Sequence, residues 1–196
     1  MSLTHGKAFP NSINVNNSLA AFDFSRLFIN HLNKFYLPSH SDMIFLCIGT
    51  DRSTGDSLGP LVGCKLKNSL SRHDRIHVYG TLQDPVHAKN LEENLSMIKT
   101  NYENPFIIAI DACLGRLDKV GYITIGQGSL KPGAGVKKDL PPVGNLHIMG
   151  IVNLSGYMEY MILQSTRLHL VMKIASAISE GIRFSLWKLN KEKLLS

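Results

Sequence analysis

The sequence predicts an α/β protein, a single three-layer α/β/α domain built on a mostly parallel sheet. Three observations predict it. The apolar runs 43–48 and 106–110 are continuous and too short for helices, so they read as strands buried on both faces. Leu58, Val62, Leu66 and Leu70 recur four apart, the stripe of a helix packed on one side. Strands alternating with helices favour parallel pairing, with helices laid over the sheet.

Taken in order, residues 1–17 are polar and asparagine-rich and read as a loose N-terminal arm. Ser18 is a candidate N-cap for a helix through Leu19, Phe22, Leu27, Ile29, Leu32 and Phe35, which ends before Pro38. The 43–48 strand stops at Gly49, and a polar loop leads into the 58–70 helix. Gly59 and Gly63, four apart on that helix, would let it approach the sheet closely. Residues 76–79 predict a second strand. Asp84-Pro85 predicts a helix start, with the helix running to about Lys99. A third strand over 106–110 ends at Asp111, and a fourth covers 120–125. The glycine-rich 126–135 reads as a loop, and 146–152 as a further strand. One long helix is expected over 156–184, with Met161, Leu168, Met172 and Ala175 inward and Glu159, Thr166, Lys173 and Glu180 outward. The domain then spans 18–186, and 187–196 is a basic, fraying tail.

Composition narrows the class. The 196 residues are 44% hydrophobic and 18% charged, enough for one real core, which excludes disorder, collagen and a disulfide scaffold. Cys47, Cys64 and Cys113 are odd in number and widely spaced, so reduced thiols are expected rather than a disulfide frame or a zinc site. No apolar run reaches the ~18 residues of a membrane span, and the amino end lacks an apolar leader. A soluble cytoplasmic protein is therefore expected. The net charge of +6 comes from dispersed side chains. No helix-turn-helix or RNP motif accompanies it, so neither specific nucleic acid nor membrane is an expected partner.

Sites in such folds lie beyond the carboxyl ends of the strands. The first such loop, Gly49-Thr-Asp-Arg-Ser-Thr-Gly-Asp-Ser-Leu-Gly-Pro60, is not a phosphate loop. Gly49 and Gly55 are one residue too far apart, and Asp56 stands where the lysine should be. Asp56 reads alone as a helix cap, and Asp111 as a cap or turn former. Together they read differently. Two carboxylates in one desolvated cleft cannot both ionise cheaply, so one can serve as acid and the other as base. With a histidine, the same pair could instead hold a divalent metal. His87 and His147 are the candidates, each read first as a structural histidine. The 126–135 loop is either a plain connection or a donor of backbone N–H groups, with Lys131 and Lys137 able to anchor an acidic segment. Cys113 has no adjacent histidine to activate it as a nucleophile.

The residues also carry a resemblance. The 48–60 segment, with its Asp-x-Leu-Gly-Pro run, resembles the first motif of the spore germination protease family. Ile107-Ile-Ala-Ile-Asp-Ala112 resembles the second, and the loop containing Lys131-Pro-Gly-Ala-Gly135 the third. The whole chain is similar to the YyaC group of sporulation proteins, described as spore proteases. More distantly it resembles the hydrogenase maturation endopeptidases, implying their phosphorylase/hydrolase-like fold. The resemblance implies an atypical aspartate peptidase with Asp56 and Asp111 as catalytic residues. It implies Gly49, Thr50, Lys131, Gly133 and Gly135 as substrate-binding residues. No cofactor is required on this reading; nickel or zinc is the alternative, with His147 as third ligand. The expected substrate is a protein or peptide of the developing spore, with a homo-oligomer allowed. The rival reading is a non-catalytic partner-binding protein on the same scaffold, since the chain lacks the longer family's extra segments.

Overall fold

The computed structural model describes residues 11–71, 73–132 and 140–191. Its centre is a six-stranded sheet in the order β1-β5-β6-β4-β2-β3. These strands are β1 (Ser12–Asn14), β2 (Met43–Cys47), β3 (Ile76–Tyr79), β4 (Phe106–Gly115), β5 (Tyr122–Gln127) and β6 (Leu146–Leu154). Strands β3, β2, β4 and β6 run parallel. Strand β5 is antiparallel to β6, and β1 is antiparallel to β5. The helices are α1 (Ala20–Phe35), α2 (Leu58–Leu70), α3 (Leu91–Asn101), α4 (Glu159–Gln164) and α5 (Leu168–Lys191).

The α/β class and the mostly parallel sheet are as the sequence predicts. All five residues of β2 are buried, as a strand covered on both sides requires. Met43, Phe45 and Cys47 join one core with α1, α2 and α5, whereas Ile44 and Leu46 join a second with α3, Leu130, Leu140 and Val143. The two helical layers are unequal, because α3 and a connecting segment make up the second.

The glycine prediction on α2 holds for a steric reason. A Cβ on Gly59 would lie 2.1 Å from the Ile48 carbonyl oxygen, and one on Gly63 would lie 1.8 Å from that of Gly80. Backbone meets backbone at both points.

Several boundaries differ from the sequence reading. Residues 12–14 are not a loose arm. They pair with β5 as an edge strand, and the next residue, Val15, buries its side chain in the core. The tail beyond 186 is not frayed at its start: α5 continues to Lys191 because Leu189 is still buried. Helix α1 begins two residues after Ser18 with Leu19 at the cap position and no side-chain capping bond; Asn17, just before it, accepts the Leu19 N–H at its side-chain oxygen (3.0 Å). No helix starts at Asp84-Pro85. Val86 instead bridges to Ile48 in extended form, and α3 begins after Asn90, whose side-chain oxygen accepts the His87 N–H at 2.8 Å.

Strand β4 does not end at Asp111; pairing with β6 carries it to Gly115. The single helix expected over 156–184 is broken. Met158 has a left-handed backbone (φ 63°), α4 is short, and the turn at 165–167 precedes α5. Thr166, expected outward, is buried, while Met161, Leu168 and Met172, expected inward, are exposed. The Thr166 hydroxyl donates to the Ile162 carbonyl at 2.8 Å, a local bond that competes with helix continuation.

The Gly59 contact yields a test. Gly59→Ala is expected to destabilise the fold by about 2–3 kcal/mol, because neither backbone can give way. Gly156→Ala, whose new carbon meets nothing nearer than 3.7 Å, should be near neutral. Urea unfolding of both variants measures the difference.

Candidate functional site

Three segments build a cleft at the carboxyl edge of the sheet. The first leaves β2 through Ile48, whose N–H donates to Ile110 O (2.7 Å), and Gly49, whose N–H donates to Val86 O (2.8 Å). Gly49 takes φ +141°, and a Cβ there would fall 2.0 Å from Asp56 O. The loop thus folds back on itself, closed by the Thr50 N–H to Asp56 O bond of 3.1 Å. A 3-10 turn over Gly55–Ser57 then delivers Asp56. Gly55 is needed too, since a Cβ would strike Leu163 and Thr166.

The second segment is β4. Strand β2 pairs with it only as far as Ile110, whereas β6 pairs with it beyond. Asp111 is therefore the first β4 residue past the end of its β2 neighbour. Parity puts its side chain opposite Ile110 and Ala112, which face the larger core. It is 4% exposed and accepts the Ala112 N–H at 2.7 Å. The third segment is 86–89, which brings in His87.

Asp56 and Asp111 line one cleft of about 320 Å³ with Gly49, Thr50, Ser53 and His87. Arg52 and Lys89 add positive charge to its lining, and Pro132, Leu140, Tyr160 and Leu163 add apolar surface. Neither aspartate serves as a helix cap. Asp111 lies within a strand, and the amino end of α2 has Ser57 at the cap position with no side-chain capping bond.

Burial pushes the Asp56 carboxyl above the usual carboxylate range, opposed by the Thr50 N–H and by nearby His87. Burial, reinforced by the Asp111 charge, pushes the Cys113 thiol up to about 12, so it is no thiolate nucleophile at neutral pH. Ser53 Oγ and His87 Nδ1 are buried with no hydrogen-bond partner among the described residues. Both belong to residues lining the cleft.

The remaining sequence candidates fall elsewhere. His147 is not in the cleft lining; its Nδ1 is 3.0 Å from Gly128 O and its ring packs over Gly126. Among the described residues, no group of three His, Cys, Asp or Glu side chains converges. Lys131 is not among the lining residues, although its neighbour Pro132 is. Gly133, Gly135 and Lys137 lie outside the described residues. Tyr160 and Leu163 are not sequence candidates, because a single long helix would carry them away; the separation of α4 from α5 at 165–167 places them here. Among the described residues, no helix is long and apolar enough to cross a membrane.

Fold and site together define an α/β/α protein with a two-carboxylate cleft at the carboxyl edge of a mostly parallel sheet. The chain belongs to the family described as "Protein of unknown function (DUF1256)", whose model matches residues 12–181. It is 61% identical over 140 residues to "Uncharacterized protein YyaC" of Bacillus subtilis (strain 168), over 71% of this chain and 67% of that protein. Among solved structures it is similar to the (NiFe) hydrogenase maturation protease HycI from Thermococcus kodakarensis KOD1. That likeness has 16% identity and a TM-score of 0.49, covering 80% of this chain and 98% of the other.

The raised Asp56 carboxyl has a stability consequence. The native state holds this proton to higher pH than the unfolded chain, whose value is near 3.8. Stability is therefore lost as pH rises from the unfolded value through the folded one. Asp56→Asn is expected to be more stable than the parent at ~pH 7 and to lose that advantage at ~pH 3.5. Denaturant unfolding at the two pH values tests the sign.

Proposed function

We propose that the chain is a peptidase that hydrolyses a protein or peptide substrate through Asp56 and Asp111. One observation carries the reading: two carboxyls from separate segments enter one cleft, one of them 4% exposed and the other raised by its burial. In this reaction the ionised carboxylate takes a proton from water as the water oxygen attacks the scissile carbonyl carbon. The protonated carboxyl gives its proton to the departing amine, so water is divided between the two products. Gly49 and Thr50 hold the substrate backbone beside the pair, and the apolar wall of Leu140, Tyr160 and Leu163 keeps bulk water away.

The motif resemblance in 48–60 and 107–112 supports sporulation or germination as the setting, with a spore protein as substrate and the developing spore's cytoplasm as the place. Nickel or zinc would need a ligand set the described residues do not assemble, and no step here runs through a metal.

Incubation of the pure protein with a peptide library and with spore proteins, read by mass spectrometry, tests this. Asp56→Asn and Asp111→Asn should each lower cleavage by about 10²–10⁴-fold while the fold persists. Full activity in both variants defeats the assignment. A parent that cleaves nothing yet retains a spore protein would favour the partner-binding reading.

A further inference from the structure

A second concave surface lies between α1 and the carboxyl half of α5 and shares no residue with the aspartate cleft. It encloses about 580 Å³. Its floor is aromatic: Phe22 and Phe184 have ring centroids 6.2 Å apart, and Phe184 and Trp187 are 5.6 Å apart. These three side chains are 49%, 41% and 54% exposed and adjoin one another, a contiguous aromatic patch. Among the described residues, the charge lining the groove is of one sign. Arg26, Lys188 and Lys191 line it, with Lys191 Nζ 4.5 Å above the Trp187 ring, and no acidic side chain among the described residues does. The acids on these helices nearest in sequence, Asp23 and Glu180, lie outside the lining, and Asp23 already accepts the Asn17 side-chain amide at 3.1 Å.

We propose that this groove docks an acidic amphipathic helix of a partner protein. The lining runs from Phe22 to Ile29 along α1, about 10 Å or two helical turns, room for two or three apolar anchors of a helix laid in a groove. Aromatic and arginine side chains are the types that dominate binding energy in such grooves. Glutamates or aspartates flanking the anchors would meet Arg26, Lys188 and Lys191. A second copy of this chain is disfavoured by the same charges, since a two-fold contact would set the three cations against themselves. The concave form, with its aromatic rings half sunk, favours a peptide over a membrane surface, which is entered by projecting side chains.

Trp187 is the sole tryptophan of the chain and reports on the groove directly. The full chain is titrated with a synthetic helix carrying leucines at i, i+3 and i+7 on a glutamate background. Its lysine counterpart and phosphatidylglycerol vesicles are run in parallel. The glutamate helix should give a saturable blue shift of Trp187 that weakens with salt. Lys188→Glu with Lys191→Glu should weaken binding about tenfold or more, with circular dichroism unchanged. Asp56→Asn should leave it intact, which separates this test from that of the peptidase reading. Equal binding of the lysine helix, no binding of the glutamate helix, a shift with vesicles alone, or self-association in sedimentation that the double variant abolishes would each overturn the proposal.

Discussion

Helix α2 touches the end of β2 backbone to backbone at Gly59, and much of the molecule depends on that contact. A residue with any side chain there would drive the helix off the Ile48 carbonyl. With the helix seated, the 49–57 loop has little slack and must fold back through Gly49. The folded loop then carries Asp56 to the edge of the sheet instead of out to solvent. Gly63 against Gly80 and Gly55 against Leu163 and Thr166 repeat the device on neighbouring sides. Missing side chains, as much as present ones, thus position the acid.

The second acid is placed by unequal strand lengths. Strand β4 outruns β2 because β6 remains beside it as a pairing partner. The backbone at Asp111 is therefore paired on the β6 side, while its side chain leaves the sheet face and lines the cleft. Burying a carboxyl this deeply costs free energy unless it is hydrogen-bonded or holds a proton. The Ala112 N–H supplies one bond. The raised Asp56 carboxyl beside it gives up stability at neutral pH.

Much of the fold was legible because its signals are local. The unbroken apolar run of β2 and the four-residue stripe of α2 each reflect burial of that segment alone. The errors lie where pairing partners decide. Asn14 and its neighbours read as an arm, since one isoleucine between Ser12 and Asn14 does not announce β5 as its partner. Asp84-Pro85 has the chemistry of a helix start, yet the bridge from Val86 to Ile48 claims that backbone first. Thr166 fits a solvent stripe by period, but its hydroxyl and the Gly55 contact pull it inside. The aspartates were legible as residues at strand ends, and His87 as a candidate beside His147, with nothing local to choose between the two histidines.

The sequence by itself determined the alternation of strands and helices, the close seat of α2, and the two acidic segments bound for the carboxyl edge. These follow from periodicity and from glycine's lack of a side chain, both properties of neighbouring residues. Only the tertiary structure decided that Asp56 and Asp111 share a cleft, that His87 and not His147 borders it, and that Tyr160 and Leu163 close it. Those outcomes depend on strand order, register and one broken helix, which join residues distant in the chain.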